Sequence, residues 1–98
     1  MNNLSFEWNK HKNDINQRRH RVDFEEASSV FFDEEGVLIH DPDHSRDEDR
    51  FLLLGISRKL RLLVVSHTYR NDDRTIRLIS ARVASPYEHA QYGRITRT

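Results

Sequence analysis

Thr75-Ile76-Arg77-Leu78-Ile79-Ser80-Ala81-Arg82-Val83-Ala84 is the stretch from which the fold is read. Its β-branched and aliphatic residues suit a strand buried on both faces, yet Arg77 and Arg82 interrupt it, and a buried strand holds a guanidinium only beside an anionic partner. The two arginines are five positions apart. The two-residue period of a strand therefore sends them to opposite faces unless a bulge intervenes, leaving one structural and the other able to reach a ligand.

Upstream, Arg50 to Ser57 and Arg61 to Tyr69 are apolar runs joined by the hairpin-length loop Arg58-Lys59-Leu60, and Asn71-Asp72-Asp73 turns the chain into the arginine-bearing strand. Three consecutive strands with short connections predict an antiparallel meander. Val37-Leu38-Ile39 begins a further strand after the turn at Asp33-Glu34-Glu35-Gly36. Alternation in Leu4-Ser5-Phe6-Glu7-Trp8 predicts a short first strand. Asn9 then caps a basic, surface-lying helix running to about Arg19, with Ile15 on its inner side.

Asp23 is the expected N-cap of a second helix, because Glu26 completes a capping box and Val22 can staple onto Ala27. Phe24, Ala27 and Phe31 fall at helical spacing and face the core. Ser85-Pro86 opens a last helix, with Tyr87, Ala90 and Tyr92 packing inward. The last residues, Ile95 to Thr98, are expected to fray. This order defines an α+β fold with two N-terminal helices and a C-terminal helix on a mainly antiparallel β-sheet, the helices gathered on one face and the other open.

Ninety-eight residues make one domain, 1–98. Hydrophobic residues are 36% and charged residues 33%, polar for a folded chain, but the apolar runs exclude disorder throughout. There is no cysteine, so neither disulfides nor thiolate metal sites hold it together, which fits a reducing compartment. No apolar run reaches membrane-spanning length and the N-terminus lacks a signal pattern, so a cytoplasmic soluble domain without membrane contact is expected.

Zero net charge conceals a split: residues 1–49 carry 6 basic and 13 acidic side chains, residues 50–98 carry 10 and 3. The halves either neutralise one another across the fold or leave the C-terminal half as a cationic surface for an anionic polymer or an acidic partner. Arginine supplies 13 of the 16 basic residues, favouring bidentate grip on phosphate or carboxylate. His40 and His44 stand four apart among carboxylates, but Pro42 breaks the helix that would align them. No metal and no cofactor are expected.

These residues carry a family resemblance. Phe6-x-Trp8, Lys12-x-x-x-Asn16, His20-x-Val22-x-Phe24-Glu25-Glu26-Ala27 and Val30-Phe31 are followed by Asp43-His44-Ser45, Glu48-x-Arg50, Gly55 and the run Leu62 to Thr68. Ile76-Arg77-Leu78-Ile79-Ser80-Ala81-Arg82-x-Ala84, Glu88 and Tyr92 complete the series. In this order and spacing the chain resembles the BrnT toxins of bacterial type II toxin–antitoxin pairs. Two positions depart from the family: Asn9-Lys10 stands where Asp-Pro is common, and Arg21 where a glycine usually follows the helix-ending histidine. Arg21 must then take a left-handed conformation, or the helix must end differently.

The resemblance implies a RelE-like fold and a ribonuclease that cleaves RNA and inhibits translation. It implies silencing by a cognate BrnA-like antitoxin, in a two-plus-two complex built on an antitoxin dimer. RNA cleavage without a metal needs a base for the 2′-hydroxyl, cations for the phosphorane and an acid for the departing 5′-oxygen. Arg77, Arg82 and Arg50 are the candidate cations, with Lys12 as helper and Arg61, Arg70 and Arg74 as further RNA contacts. The structural alternative for Arg77 and Arg82 is pairing with Glu48 or Glu88.

His67 is the candidate for proton transfer, since it sits in a strand and titrates near neutral pH. Glu48 is the alternative base, unless it pairs with Arg50; His44 and His20 follow, His20 more naturally as a capping cation. Tyr92 stacks on a base or packs in the core. The competing function is a non-catalytic RNA- or protein-binding module.

Overall fold

The computed structural model describes residues 4–70 and 74–96; the turn expected at 71–73 and the last two residues lie outside them. The chain runs β1 (Ser5–Glu7), α1 (Lys10–His20), α2 (Phe24–Ser29), a 3-10 turn (Val30–Phe32) and β2 (Val37–His40). A second 3-10 turn (Pro42–His44), β3 (Phe51–Ile56), β4 (Leu62–Tyr69), β5 (Thr75–Val83) and α3 (Pro86–Thr96) complete it. The last helix thus continues through Ile95 to Thr96. One five-stranded sheet has the order β1-β5-β4-β3-β2. The expected meander is present, β2 adds to it antiparallel, and β1 joins the far edge parallel to β5.

The caps form as the residue types dictate. Asn9 accepts from the Lys12 amide at 3.0 Å and Asp23 from the Glu26 amide at 2.7 Å. Ser85 and Glu88 close a reciprocal box, Glu88 accepting from the Ser85 amide at 2.8 Å and Ser85 Oγ from the Glu88 amide at 3.2 Å. Arg21 ends α1 in the left-handed region (φ 58°, ψ 34°), the conformation a glycine takes without strain.

Two apolar layers result. On one face, Leu53, Leu63, Val65, Ile76, Leu78 and Ala81 pack under Val22, Phe24, Ala27 and Val30, with Phe6, Trp8 and Phe31 at the margin. Fully burying a valine, leucine, isoleucine or phenylalanine side chain contributes about 1.5–3 kcal/mol. Gly55 lets this layer close, because a Cβ there would stand 2.8 Å from Val30 Cγ1. On the other face, Leu54, Leu62, Val64 and Ala84 pack with Val37, Leu52, Ile56 and Tyr92. The helices are therefore not gathered on one face: α3 lies across from α2. It presents Tyr92 to the sheet while Tyr87 is 72% exposed and Ala90 is also exposed. Tyr92 donates to Asp33 at 2.6 Å, and Asp33 also accepts from the Ile56 amide at 2.8 Å, tying α3 to the start of the hairpin.

Asn16 is the buried residue of α1. β1 pairs with β5 only as far as Arg77, which leaves the outer edge of β5 open beyond that point. The Asn16 carboxamide fills the gap, donating to the Ala81 carbonyl at 2.8 Å and accepting from the Ala81 amide at 3.1 Å. It also donates to the Val22 carbonyl at 2.8 Å. A side chain thus stands in for a sixth strand and covers an edge.

Candidate RNA-binding and cleavage site

A bulge decides where the arginines go. Ser66 pairs with Ser80 but His67 pairs with Leu78, so Ile79 is an extra residue on β5. Ile76, Leu78 and Ala81 consequently all enter the α1/α2 core, and Arg77 and Arg82 both fall on the opposite face. The bulge allowed for in the sequence is present, and the two arginines share one face with Ser80 between them.

Their environments differ. Arg82 is held by Glu88 through parallel bonds of 2.7 and 2.8 Å. These hydrogen bonds, against the opposing effect of burial, take the Glu88 carboxyl down to about 2. Arg77 is half-buried and, among the described residues, makes no ion pair. It stands in register with Thr68 on β4 and Glu7 on β1. Arg50 precedes β3 and shares the orientation of Leu52. The pairing of Phe51 with His67 sets it opposite Thr68, whose hydroxyl donates to the Asp49 carbonyl at 2.6 Å. Arg50, Thr68 and Arg77 thus form a row across three strands, roughly 10 Å from end to end at ordinary strand spacing. The Arg50 Nε is buried with no hydrogen-bond partner.

Three shallow clefts open around this row at one end of the sheet. Glu7, Trp8, Asn9 and Arg77 line one, Glu48, Asp49, Phe51, Thr68 and Tyr69 the second, and His44, Arg46, Asp47, Glu48 and Arg50 the third. Glu48 borders two of them and is exposed; it makes no ion pair with Arg50 among the described residues. Lys12 lies on the flank, in a cleft shared with Arg19, His20, Ile79 and Ser80.

Other sequence candidates sit elsewhere. His67 is fully buried on the α1/α2 face, with its ring 4.7 Å from Phe31 and 5.3 Å from Tyr69, and Nδ1 3.1 Å from the Val65 carbonyl. Burial pushes its pKa down to about 4, only partly offset by that carbonyl. The geometry separates it from Arg77 and Arg50. Arg61 is engaged by the buried Glu26, donating from Nε at 2.9 Å and from Nη2, with a further bond to the Arg21 carbonyl at 2.9 Å. Burial raises the Glu26 pKa, but bonds from Arg61 and Ser57 outweigh it and the net shift is downward. Arg70 pairs with Glu7 at 3.2 Å and Arg74 is exposed. His20, at the C-terminal end of α1, stays beside Lys12.

The histidines of the acidic loop pair separately. His40 faces Asp49 at 3.4 Å and His44 faces Asp41 at 2.9 Å. Among the described residues, no three His, Asp or Glu side chains converge on a metal-sized site. Two neighbours are not evident in the sequence: Glu7, set in register with Arg77 by a parallel pairing but ion-paired to Arg70, and Asp41, brought to His44 by the 3-10 turn. An i,i+3 Asp/His spacing around Pro42 was the available signal for the second.

The fold and site define a small α+β protein whose polar feature is an arginine row on an open sheet end rather than an enclosed pocket. The chain belongs to the BrnT family: residues 8–88 match the family model described as the ribonuclease toxin, BrnT, of type II toxin–antitoxin systems. The crystal structure of the Brucella abortus ribonuclease toxin BrnT is similar in fold, at 19% identity and a TM-score of 0.64, covering 84% of this chain and 97% of that one. A search of curated proteins finds no match. No helix among the described residues is long and apolar enough to cross a membrane.

Proposed function

We propose that this chain is a cytoplasmic toxin that cleaves RNA without a metal ion and thereby inhibits translation. The observation that carries this reading is the row Arg50, Thr68, Arg77, in which two guanidinium groups without carboxylate partners among the described residues face one surface. Fixed cations beside a scissile phosphate stabilise the dianionic phosphorane more than the monoanionic phosphodiester, so they lower the barrier and not merely the dissociation constant. Glu48, at the junction of two clefts, takes the 2′-hydroxyl proton, and Lys12 and Arg74 extend the phosphate contact. Arg82, Arg61 and Arg70 are assigned to holding the fold, since each already has a carboxylate partner.

The cognate antitoxin covers this end of the sheet with carboxylates, in a two-plus-two complex. Such complementarity makes association fast and salt-sensitive. Incubation with single-stranded RNA in excess chelator tests the activity. Fragments ending in 2′,3′-cyclic phosphate are expected. Binding without cleavage would make the chain an RNA-binding module, and activity restored only by magnesium or manganese would refute the metal-free mechanism. Light scattering on the co-expressed pair tests the stoichiometry.

A further inference from the structure

We infer that His44, held by Asp41, is the general acid of the cleavage, protonating the departing 5′-oxygen; this rests on the ribonuclease reading above. His44 Nδ1 lies 2.9 Å from Asp41 Oδ2, and the Asp41 side chain is only 16% exposed while that of His44 is 67% exposed. The carboxylate is therefore anchored and the imidazole presented. Nδ1 is committed to Asp41, which leaves Nε2 to carry the transferable proton, since the two ring nitrogens have distinct roles once one is engaged.

The loop that carries the pair is built to hold it. Ser45 Oγ donates to the Asp41 carbonyl at 2.6 Å and accepts from the Arg50 amide at 2.9 Å. The Asp41 amide donates to the Arg50 carbonyl at 2.8 Å. His44 is thereby fixed relative to Arg50, and the two side chains line one cleft of about 300 Å³ with Arg46, Asp47 and Glu48. These residues and Asp41 are the charged groups around the imidazole. Arg50, whose Nε is buried without a hydrogen-bond partner, is one of the residues lining this cleft.

The proton balance closes within this set. The 2′-oxygen attacks phosphorus as its proton passes to Glu48, and the bond from phosphorus to the 5′-oxygen breaks as the His44 imidazolium gives its Nε2 proton to that oxygen. The products are a 2′,3′-cyclic phosphate and a free 5′-hydroxyl, with Glu48 protonated and His44 neutral. Exchange with water restores both. Asp41 is a positioning residue: its carboxylate holds His44 Nδ1 and so orients the imidazole.

The test compares an RNA with its analogue bearing sulfur in place of the bridging 5′-oxygen at the scissile bond, because a thiolate departs without a proton. His44→Ala is expected to slow cleavage of the oxygen substrate by about 10²- to 10³-fold and to cleave the sulfur substrate near the wild-type rate. Asp41→Asn should show a smaller loss that the sulfur substrate also erases. Equal loss on both substrates, or no loss on either, would overturn the assignment. If wild type cleaves RNA and His44→Ala does so equally well, only the acid is refuted; if wild type cleaves neither substrate, the ribonuclease reading falls with it.

Discussion

Arg82 and Glu88 are joined by two parallel hydrogen bonds that pin the start of α3 to β5. The same carboxylate accepts from the Ser85 amide, so one side chain closes both a helix cap and an ion pair. Arg77, on the same sheet face, has no such partner among the described residues. Two arginines of one strand thus share a face but differ in pairing, Arg82 being held by a carboxylate and Arg77, among the described residues, not.

The pair makes stability acid-sensitive. Glu88 titrates at about 2 when folded, below its ordinary 4.5, so the unfolded chain binds a proton first as pH falls. The stabilisation is complete above about pH 4.5 and is lost as pH drops towards about 2. Urea melts of Glu88→Gln should show lower stability at neutral pH and a weaker dependence in this window. Arg82→Ala should lose about 1–2 kcal/mol.

His67 adds a second, earlier limb. Its folded pKa of about 4 against an ordinary 6.5 means that unfolding takes up a proton between these values. Stability should therefore fall as pH drops from about 6.5 to about 4. His67→Phe should remove that limb from the pH profile of urea melts. Because His67 faces away from the arginine row, a folded His67→Phe should keep RNA cleavage.

Asn16→Ala should destabilise by about 2–4 kcal/mol, since it strips partners from buried backbone groups that water cannot reach. Thermal melts monitored by circular dichroism would show this. Asn16→Asp should be worse, because a carboxylate cannot donate to the Ala81 and Val22 carbonyls.

Arg21→Gly should raise stability by up to about 1 kcal/mol, because the left-handed backbone costs a side-chain-bearing residue about 1–2 kcal/mol, partly offset by glycine's greater unfolded-state freedom. The bond from Arg61 to the Arg21 carbonyl does not depend on the side chain replaced. A melting temperature below wild type would show that the Arg21 side chain stabilises the fold.

Local signals made most of the fold legible. The apolar runs, the Asp23 and Ser85 caps and the short loops specified strands, helices and meander, because each rests on residues a few positions apart; the Glu26 carboxylate, expected to close a box with Asp23, instead binds Ser57 and Arg61. The Ile79 bulge was less legible, since pairing with β4 decides it and no residue type on β5 demands it. The placement of α3 against the second face, with Tyr87 outside and Tyr92 inside, likewise depends on Asp33, which is 59 positions away from its partner.

Of the site, Arg77 and Arg50 were legible as cations, but which arginines were already neutralised depended on long-range pairs such as Glu26 with Arg61. His67 had a readable warning: it continues the alternation of Leu63 and Val65, both core residues. Its chemical type drew attention away from that parity. Asn16 stood out only as part of the family motif; its role was not legible, because an asparagine in a basic helix reads as surface until an open strand edge is set beside it.

In the proposed mechanism the row through Arg50 and Arg77 performs the chemistry. Single-turnover RNA cleavage in chelator by Arg77→Ala, read beside its urea melt, tests it most directly. A rate lowered by about 10²- to 10³-fold with an unchanged unfolding midpoint is expected. Arg50→Ala should behave alike in cleavage, and Arg82→Ala should lose stability first. Wild-type cleavage by a folded Arg77→Ala, or a rate loss that merely follows unfolding, would contradict it.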